Sequence, residues 1–181
     1  MLVTPLQLAQ VTAVLANRGK KITPRFLSGI EHPQSQLQEE IMPDFRGTVD
    51  MQSGSFYDLV IRSMRDVVHG KRGTARRIGQ DIRYEMAGKT GTAQVKSIAQ
   101  NQTYDEENTE KKFKDHSLFV GFAPLDDPKI AIAVIVEHAG SGSRVAAPIA
   151  RKLLDYYLLD RLEMFPEPEQ SETEQNLASS G

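Results

Sequence analysis

The sequence predicts an α+β protein in which helices cover an antiparallel sheet. Two amphipathic helical segments come first, three strand-like segments follow them, and one more helix begins near residue 146. A tight turn, residues 124–128 (PLDDP), separates the second and third strands, which favours a hairpin. Because helices and strands are segregated along the chain instead of alternating, an antiparallel sheet with covering helices fits better than a parallel α/β fold.

The first helix is predicted over residues 4–18. Thr4 is placed to cap it, Pro5 suits its first turn, and Gln7 occupies the position of a capping-box partner. Gly19 follows, where a left-handed residue commonly ends a helix. The sequence therefore predicts both ends of this helix.

A second helix is predicted between a serine cap, Ser53 or Ser55, and Gly70. Residues 20–43, ahead of it, are predicted to be short extended segments and loop, because prolines interrupt any helical pattern there. The apolar side of the second helix is predicted from helical spacing to consist of Phe56, Leu59, Val60, Met64 and Val67.

Three strands are predicted over residues 82–95, 117–123 and 129–137. The last is apolar throughout, which predicts a central strand covered on both faces. The final helix, from about Ala146, is predicted to bury a set of large apolar residues, namely Ile149, Leu153, Tyr156, Tyr157 and Leu158.

Length and composition predict one domain over residues 1–160 and a disordered tail over 161–181, which is rich in Glu, Gln, Ser and Pro. The polar insert from Lys96 to Lys114 is expected to be mobile and outside the sheet. A net charge of -2 argues against nucleic-acid binding. The absence of cysteine excludes disulfides, thiol nucleophiles and cysteine-based zinc sites, and no apolar run approaches the ~18 residues of a membrane span.

Residues 83–95, RYEMAGKTGTAQV, contain a Gly-Lys-Thr-Gly run that is typical of two different sites. A phosphate-binding loop needs a glycine five residues before Gly88, where this chain has Arg83, and a helix afterwards, where this chain is strand-like. The other site is Lys-Thr-Gly on an edge strand, a signature of penicillin-binding proteins and serine β-lactamases. Three residues alone are a weak signal, because a surface lysine beside a turn glycine gives the same letters.

The order of the surrounding segments favours the second interpretation. TPLQLAQVTAVLANRGK, the GTA of residues 73–75, AGKTGTAQV, HSLFVGFAP and KIAIAVIVE follow one another as in the class B penicillin-binding transpeptidases. The chain resembles that family over residues 1 to about 160. The charged insert, which contains Tyr-Asp and ends in Lys-Asp-His, is most similar to the elongation-specific branch, penicillin-binding protein 2. The septal branch remains the alternative.

The resemblance implies acyl transfer, in which a serine attacks the D-Ala-D-Ala end of a stem peptide and an amine of a second peptide takes the acyl group. In that scheme Lys89 offers a positive charge, and Thr90 a hydroxyl, to the substrate carboxylate. Gly91 lets the peptide lie against the strand, and the backbone N–H of Thr92 is one oxyanion-hole donor. For the Thr92 side chain, carboxylate binding and an ordinary strand role both stay open.

The two other family signatures, Ser-x-x-Lys and Ser-x-Asn, do not occur in these 181 residues, so the serine nucleophile is absent from the chain. The sequence is therefore expected to be the C-terminal part of a transpeptidase domain, inactive alone, with the serine and a membrane anchor ahead of Met1. A non-catalytic sensor of penicillin or wall peptides, and an unrelated α+β interaction domain, stay open as alternatives.

The resemblance also implies partners and a location. The partners are peptidoglycan stem peptides, β-lactam antibiotics, a membrane glycosyltransferase and scaffold proteins of the elongation complex, and the location is the periplasmic face of the bacterial inner membrane. No cofactor and no metal are expected. His116 and His138 lack metal-ligand spacing, and Ser141 lacks the G-x-S-x-G context of a nucleophile elbow, so all three are interpreted as structural.

Overall fold

The computed structural model describes residues 3–32, 37–51, 53–95 and 110–159. The predicted tail, and the predicted mobile insert up to residue 109, lie outside these ranges and stay predictions. The helices are α1 (Pro5–Ala16), α2 (Ser55–His69) and α3 (Ala146–Leu159), with short 3-10 helices at Arg76–Gly79 and Lys111–Phe113. The strands are β1 (Lys20–Ile22), β2 (Gly29–His32), β3 (Leu37–Glu40), β4 (Phe45–Thr48), β5 (Ala87–Ala93), β6 (His116–Ala123) and β7 (Ile130–Val136).

β5, β6 and β7 form an antiparallel sheet with β6 in the middle, which confirms the predicted hairpin between the second and third strands. The prediction of a central strand over 129–137 is wrong within the described ranges, because β7 lies at one end of the order. The other half of the prediction, that the strand is covered on both faces, is confirmed. Ile130 and Ile132 contribute to the core beneath α3, whereas Ala131 contributes to the core that α1 and α2 cover, so both faces of β7 are covered.

The sheet carries one core on each face, because successive strand residues point to opposite sides. Met86 and Phe119 lie in the core on the α3 side, whereas Ala87 and Phe122 lie in the core on the α2 side. The predicted α+β fold, with helices covering an antiparallel sheet, is therefore confirmed. The remaining strands are short and form two two-stranded sheets, β1 with β4 and β2 with β3.

β5 is shorter than the strand predicted over residues 82–95. β6 ends at Ala123, just past the residue that pairs with Ala87, so the β5–β6 ladder does not continue along 82–86. Instead, the hydroxyl of Tyr84 donates to Asp155 Oδ1 of α3 at 2.8 Å. Together with one backbone bond, from the Leu125 N–H to the Glu85 carbonyl (2.8 Å), this side-chain contact to a helix replaces the backbone ladder in this segment.

α1 begins as the sequence predicts and ends earlier. Thr4 Oγ1 accepts from the Gln7 N–H (3.2 Å) and Gln7 Oε1 accepts from the Thr4 N–H (2.8 Å), which is the expected capping box. The helix ends at Ala16, because Arg18 (φ 52) as well as Gly19 (φ 97) is left-handed. The chain therefore leaves the helix two residues before the predicted end.

α2 starts at Ser55 with Gly54 as its N-cap residue, so neither predicted serine occupies the cap position. Its buried face also differs from the predicted one. Of the residues predicted on this side, Met64 is buried and Val60 and Val67 pack against the two cores, but Phe56 is 45% and Leu59 62% exposed. The buried residues are instead Tyr57, Ile61, Met64 and Val68.

The buried face of α3 is made of small residues, which makes the predicted face wrong. Ala146, Ala147 and Ala150 are fully buried together with Leu154. Alanine allows the helix to approach the sheet closely, where the large buried side chain of Phe119 fills the space. Leu158 packs against this core as predicted. The other four predicted residues are exposed: Ile149 by 38%, Leu153 by 40%, Tyr156 by 42% and Tyr157 by 60%.

Candidate functional site

The Lys-Thr-Gly-Thr run lies in β5, an edge strand of the three-stranded sheet. No strand within the described ranges pairs with the outer edge of β5. An edge strand directs alternate N–H and C=O groups outward, and an extended peptide can add to it as a further strand. On the inner edge the run pairs with β6: Lys89 with Val120, Thr90 with Phe119, Gly91 with Leu118 and Thr92 with Ser117.

The four predicted site residues do not share one face of the sheet. Ala87 lies in the α2-side core, so strand alternation places Lys89 and Gly91 on that face and Thr90 and Thr92 on the other. The exposed Lys89 side chain bends along the strand, and its Nζ donates to the Thr90 carbonyl oxygen at 2.6 Å. The structure therefore brings the ammonium group beside the strand backbone.

Thr74 contacts the run from the loop that follows α2. Its Oγ1 lies 3.0 Å from Thr90 Oγ1, and either hydroxyl can be the donor. The loop is held in place because Ala75 and Ile78 are buried in the α3-side core. Thr90 consequently has a fixed partner for its hydroxyl, which sets the directions in which that hydroxyl can meet a ligand.

A close backbone approach holds the loop between β7 and α3 against β5. A Cβ atom on Gly142 would overlap the carbonyl oxygen of Gly91, so a larger residue does not fit without movement. The fully buried Ser117 secures the same loop, since its Oγ donates to the Ser141 carbonyl (3.1 Å) and accepts from the Ala146 N–H (3.0 Å). The hydroxyls of Ser141 and Ser143 pair with each other at 3.0 Å.

His116 and His138 make contacts within the fold. Their rings meet edge to face with centroids 4.8 Å apart, and the His138 N–H donates to His116 Nδ1 at 3.0 Å. Beside them the buried Asp115 accepts from the Val95 N–H through Oδ1 (3.3 Å) and from the Gly140 N–H through its carbonyl (2.8 Å). Among the residues that the structure describes, no cluster of three or more His, Asp or Glu side chains is arranged to hold a metal ion.

His69 supports the other end of β5. The buried Met86 N–H donates to His69 Nε2 at 3.1 Å, a bond that requires this nitrogen to be unprotonated. Burial lowers the pKa of His69, although the negative charge of Glu85 opposes the shift and Arg65 adds to it. Arg65 and Glu85 form an ion pair with each other. At neutral pH the neutral imidazole therefore holds the start of the strand.

Stability of the chain should fall as the pH drops below about 6.5, the ordinary pKa of histidine. Since the folded-state pKa of His69 is lower than the unfolded-state value, the unfolded chain binds more protons between the two, and stability rises with pH across that window. The thermal midpoint measured from pH 8 to 5 tests this. His69→Gln should flatten the profile, while His32→Gln, at an exposed position, should leave it unchanged. Parallel profiles for both variants would contradict the assignment.

Sequence reasoning missed three residues that shape the site. Thr74 stands in a GTA triplet, and nothing in a separation of 16 residues indicates its contact with Thr90. Ser117 did carry a signal, because it is the polar residue in the predicted strand 117–123, which is otherwise apolar or glycine. Gly142 carried none, since its role depends on the loop passing over Gly91.

Comparisons with known proteins identify the family. The model of the penicillin binding protein transpeptidase domain matches residues 1–155. The peptidoglycan D,D-transpeptidase MrdA of Haemophilus influenzae is 40% identical over 161 residues, which are 88% of this chain and 24% of that protein. The chain thus spans about a quarter of the length of the curated relatives it matches.

Solved structures agree. The crystal structure of Pseudomonas aeruginosa PBP2 in complex with WCK 5153 is 41% identical, with a TM-score of 0.68 over 89% of this chain and 31% of that one. PBP2 of Helicobacter pylori, in its complex with MreC, is 25% identical, with a TM-score of 0.65 over 87% of this chain and 25% of that one. The predicted resemblance to penicillin-binding protein 2 is confirmed, and the chain belongs to the penicillin-binding protein transpeptidase domain family.

Proposed function

We propose that this chain forms one wall of the active site of a peptidoglycan D,D-transpeptidase that also binds β-lactams. The observation that carries the proposal is the Lys-Thr-Gly-Thr run on the open edge of β5, in a chain that belongs to the transpeptidase family. The serine nucleophile comes from a part of the protein outside these 181 residues, since no serine here has lysine at the third following position.

The proposed roles follow from the groups on β5. The Lys89 ammonium and the Thr90 hydroxyl bind the carboxylate at the end of the stem peptide, or that of a β-lactam. Gly91 has no side chain to block a peptide lying along the open edge. The Thr92 N–H stabilises the oxyanion that forms when the serine attacks the D-Ala carbonyl, a contribution worth about 2.7–4 kcal/mol per donor in other acyl-transfer enzymes.

The proposed reaction is a double displacement. The serine oxygen bonds to the penultimate D-Ala carbonyl carbon while the peptide bond breaks, and the terminal D-Ala leaves with a proton on its new amine. An amine of a second stem peptide then attacks the ester carbonyl, and the serine regains its proton. Lys89 lies near enough to the strand edge to assist proton delivery to the leaving amine.

The same family supports proposals about partners and location. Because PBP2 of Helicobacter pylori forms a complex with MreC, we include a scaffold protein of that kind, together with a membrane glycosyltransferase, among the partners of the whole protein. We place its activity at the periplasmic face of the inner membrane, in cell-wall growth. In the part of the chain that the structure describes, no helix is both long and apolar enough to cross a membrane.

The 181-residue chain alone should form no covalent adduct with a fluorescent penicillin, whereas the full-length protein should be labelled. The reason is the missing Ser-x-x-Lys, without which no serine has an activating lysine one helical turn away. Intact-protein mass spectrometry of both proteins, followed by peptide mapping, measures this. An adduct on the chain alone, at Ser141 or Ser143 in particular, would contradict the proposed division of the active site.

Labelling also separates the alternatives. A full-length protein that binds penicillin reversibly but is never acylated would be a sensor of β-lactams or wall peptides, and the enzyme proposal would be wrong.

A further inference from the structure

The loop Lys71–Arg77 is strongly cationic and borders the candidate site. Four of its seven residues, Lys71, Arg72, Arg76 and Arg77, are basic and none is acidic. All four are exposed, and within the described ranges none forms an ion pair with a carboxylate. Like charges on one short loop repel one another, and a bound anion would offset that repulsion.

The loop is held in one conformation by backbone contacts with the end of α2. A Cβ atom on Gly73 would overlap the carbonyl oxygens of Asp66 and Val67, so the loop lies directly on the last helical turn. The Ala75 N–H donates to the Val67 carbonyl at 2.9 Å and the Gly73 N–H to the Gly70 carbonyl at 3.0 Å. The backbone that carries the cationic side chains is therefore held in a fixed position.

A surface cavity of about 510 Å³, wide open to solvent, lies between this loop and α2. Its charged lining consists of Lys71, Arg72 and Asp66, and the Asp66 carboxylate lies 3.5 Å from Arg65. Thr74 lines the same cavity and also contacts the Thr90 hydroxyl at 3.0 Å. The cavity and the Lys-Thr-Gly-Thr run thus meet at Thr74.

We propose that this cavity is an anion subsite, in which Lys71 and Arg72 bind a second, side-chain carboxylate of the stem peptide whose terminal carboxylate lies at Lys89 and Thr90. The inference rests on the proposed function, because it assigns the cavity to the same peptide ligand. Its direct continuity with Thr90 favours a carboxylate of that peptide over an anion from a separate molecule. A guanidinium and an ammonium group match one or two carboxylate oxygens as charge-assisted donors.

The test compares two synthetic peptides that both end in D-Ala-D-Ala. One carries a free side-chain carboxylate, and the other has this carboxylate converted to an amide. Binding to the full-length protein is measured directly by fluorescence anisotropy, so it does not depend on acylation. Wild type should bind the carboxylate peptide about three- to tenfold more tightly, as expected for two exposed ion pairs, and the preference should shrink in high salt.

The variant Lys71→Gln/Arg72→Gln should lose this preference. The control Lys20→Gln/Lys152→Gln removes the same charge at exposed positions of β1 and α3 and should keep it. Equal binding of both peptides by wild type, or an unchanged preference in the Lys71/Arg72 variant, would overturn the subsite. So would a variant whose only defect is weaker sedimentation with vesicles of anionic phospholipid, since the loop would then bind a membrane surface.

Acylation of the wild-type full-length protein by benzylpenicillin is measured in parallel. Absence of acylation contradicts the proposed function without deciding the subsite, because the peptide preference is read from binding alone. Acylation without a peptide preference contradicts the subsite and leaves the proposed function standing.

Discussion

Replacing Lys89 with alanine in the full-length transpeptidase should slow acylation by a β-lactam about ten- to a hundredfold and hardly change stability. The loss of rate follows from removing a charge-assisted hydrogen bond to the ligand carboxylate, worth roughly 1.5–3 kcal/mol, because each 1.4 kcal/mol changes the rate about tenfold. Stability should change by less than about 0.5 kcal/mol, as for other surface substitutions. Lys89 is exposed, and its hydrogen bond goes to the neighbouring Thr90 carbonyl.

Two further variants make the comparison specific. Lys89→Arg should restore little of the rate, because a planar guanidinium is longer and directs its donors differently from a compact ammonium. Lys152→Ala removes an exposed lysine from α3 and should leave acylation unchanged. The measurement is the second-order acylation rate set against the thermal midpoint. If Lys89→Ala were acylated at the wild-type rate, or if its rate fell only in proportion to its loss of stability, Lys89 would be an ordinary surface lysine.

Local signals in the sequence predicted the parts of the fold that depend on neighbouring residues. The Thr4–Gln7 capping box and the β6–β7 hairpin both depend on residues close in sequence. The family resemblance also supported the predicted order of the helices and strands along the chain. The candidate site residues could be proposed for the same reason, since they form one continuous run.

Helix faces could not be predicted in the same way, because large apolar residues are a poor guide when a helix packs through small ones. α3 is buried through Ala146, Ala147 and Ala150, while Leu153 is 40% exposed. Contacts between residues that are far apart in the sequence could not be predicted either. The Thr74–Thr90 hydroxyl pair and the approach of Gly142 to Gly91 exist only because the sheet brings separate loops together.

A buried polar network has the same long-range character and links α3 to the segment before β5. Asp155 is 3% exposed, and its two oxygens accept from Arg151 Nε (2.7 Å) and from the Tyr84 hydroxyl (2.8 Å). Arg151 Nη1 donates in turn to the carbonyl oxygens of Ile78 (2.5 Å) and Gln80 (3.2 Å). The network therefore fixes the backbone on both sides of the turn between the cationic loop and the Lys-Thr-Gly strand.

Replacing Asp155 with alanine should lower the free energy of unfolding by about 3 kcal/mol, the loss typical of breaking a buried ion pair from one side. The variant leaves the Arg151 guanidinium, whose side chain is 19% exposed, without its carboxylate partner. It also leaves the Tyr84 hydroxyl without an acceptor. That hydroxyl stays a donor at neutral pH, because burial and then the bond to Asp155 raise its pKa. Urea denaturation followed by circular dichroism measures the change.

The decrease in the free energy of unfolding should depend on which member of the network is removed. Tyr84→Phe deletes one hydrogen bond and should cost about 1 kcal/mol, and Lys152→Ala, on the exposed side of the same helix, should cost less than about 0.5 kcal/mol. The double variant Arg151→Ala/Asp155→Ala should lose less than the sum of its single variants, because neither charge is then left alone. If Asp155→Ala were no more destabilising than Lys152→Ala, or if the two single losses were additive, the network would not be what holds the strand carrying Lys89 in place.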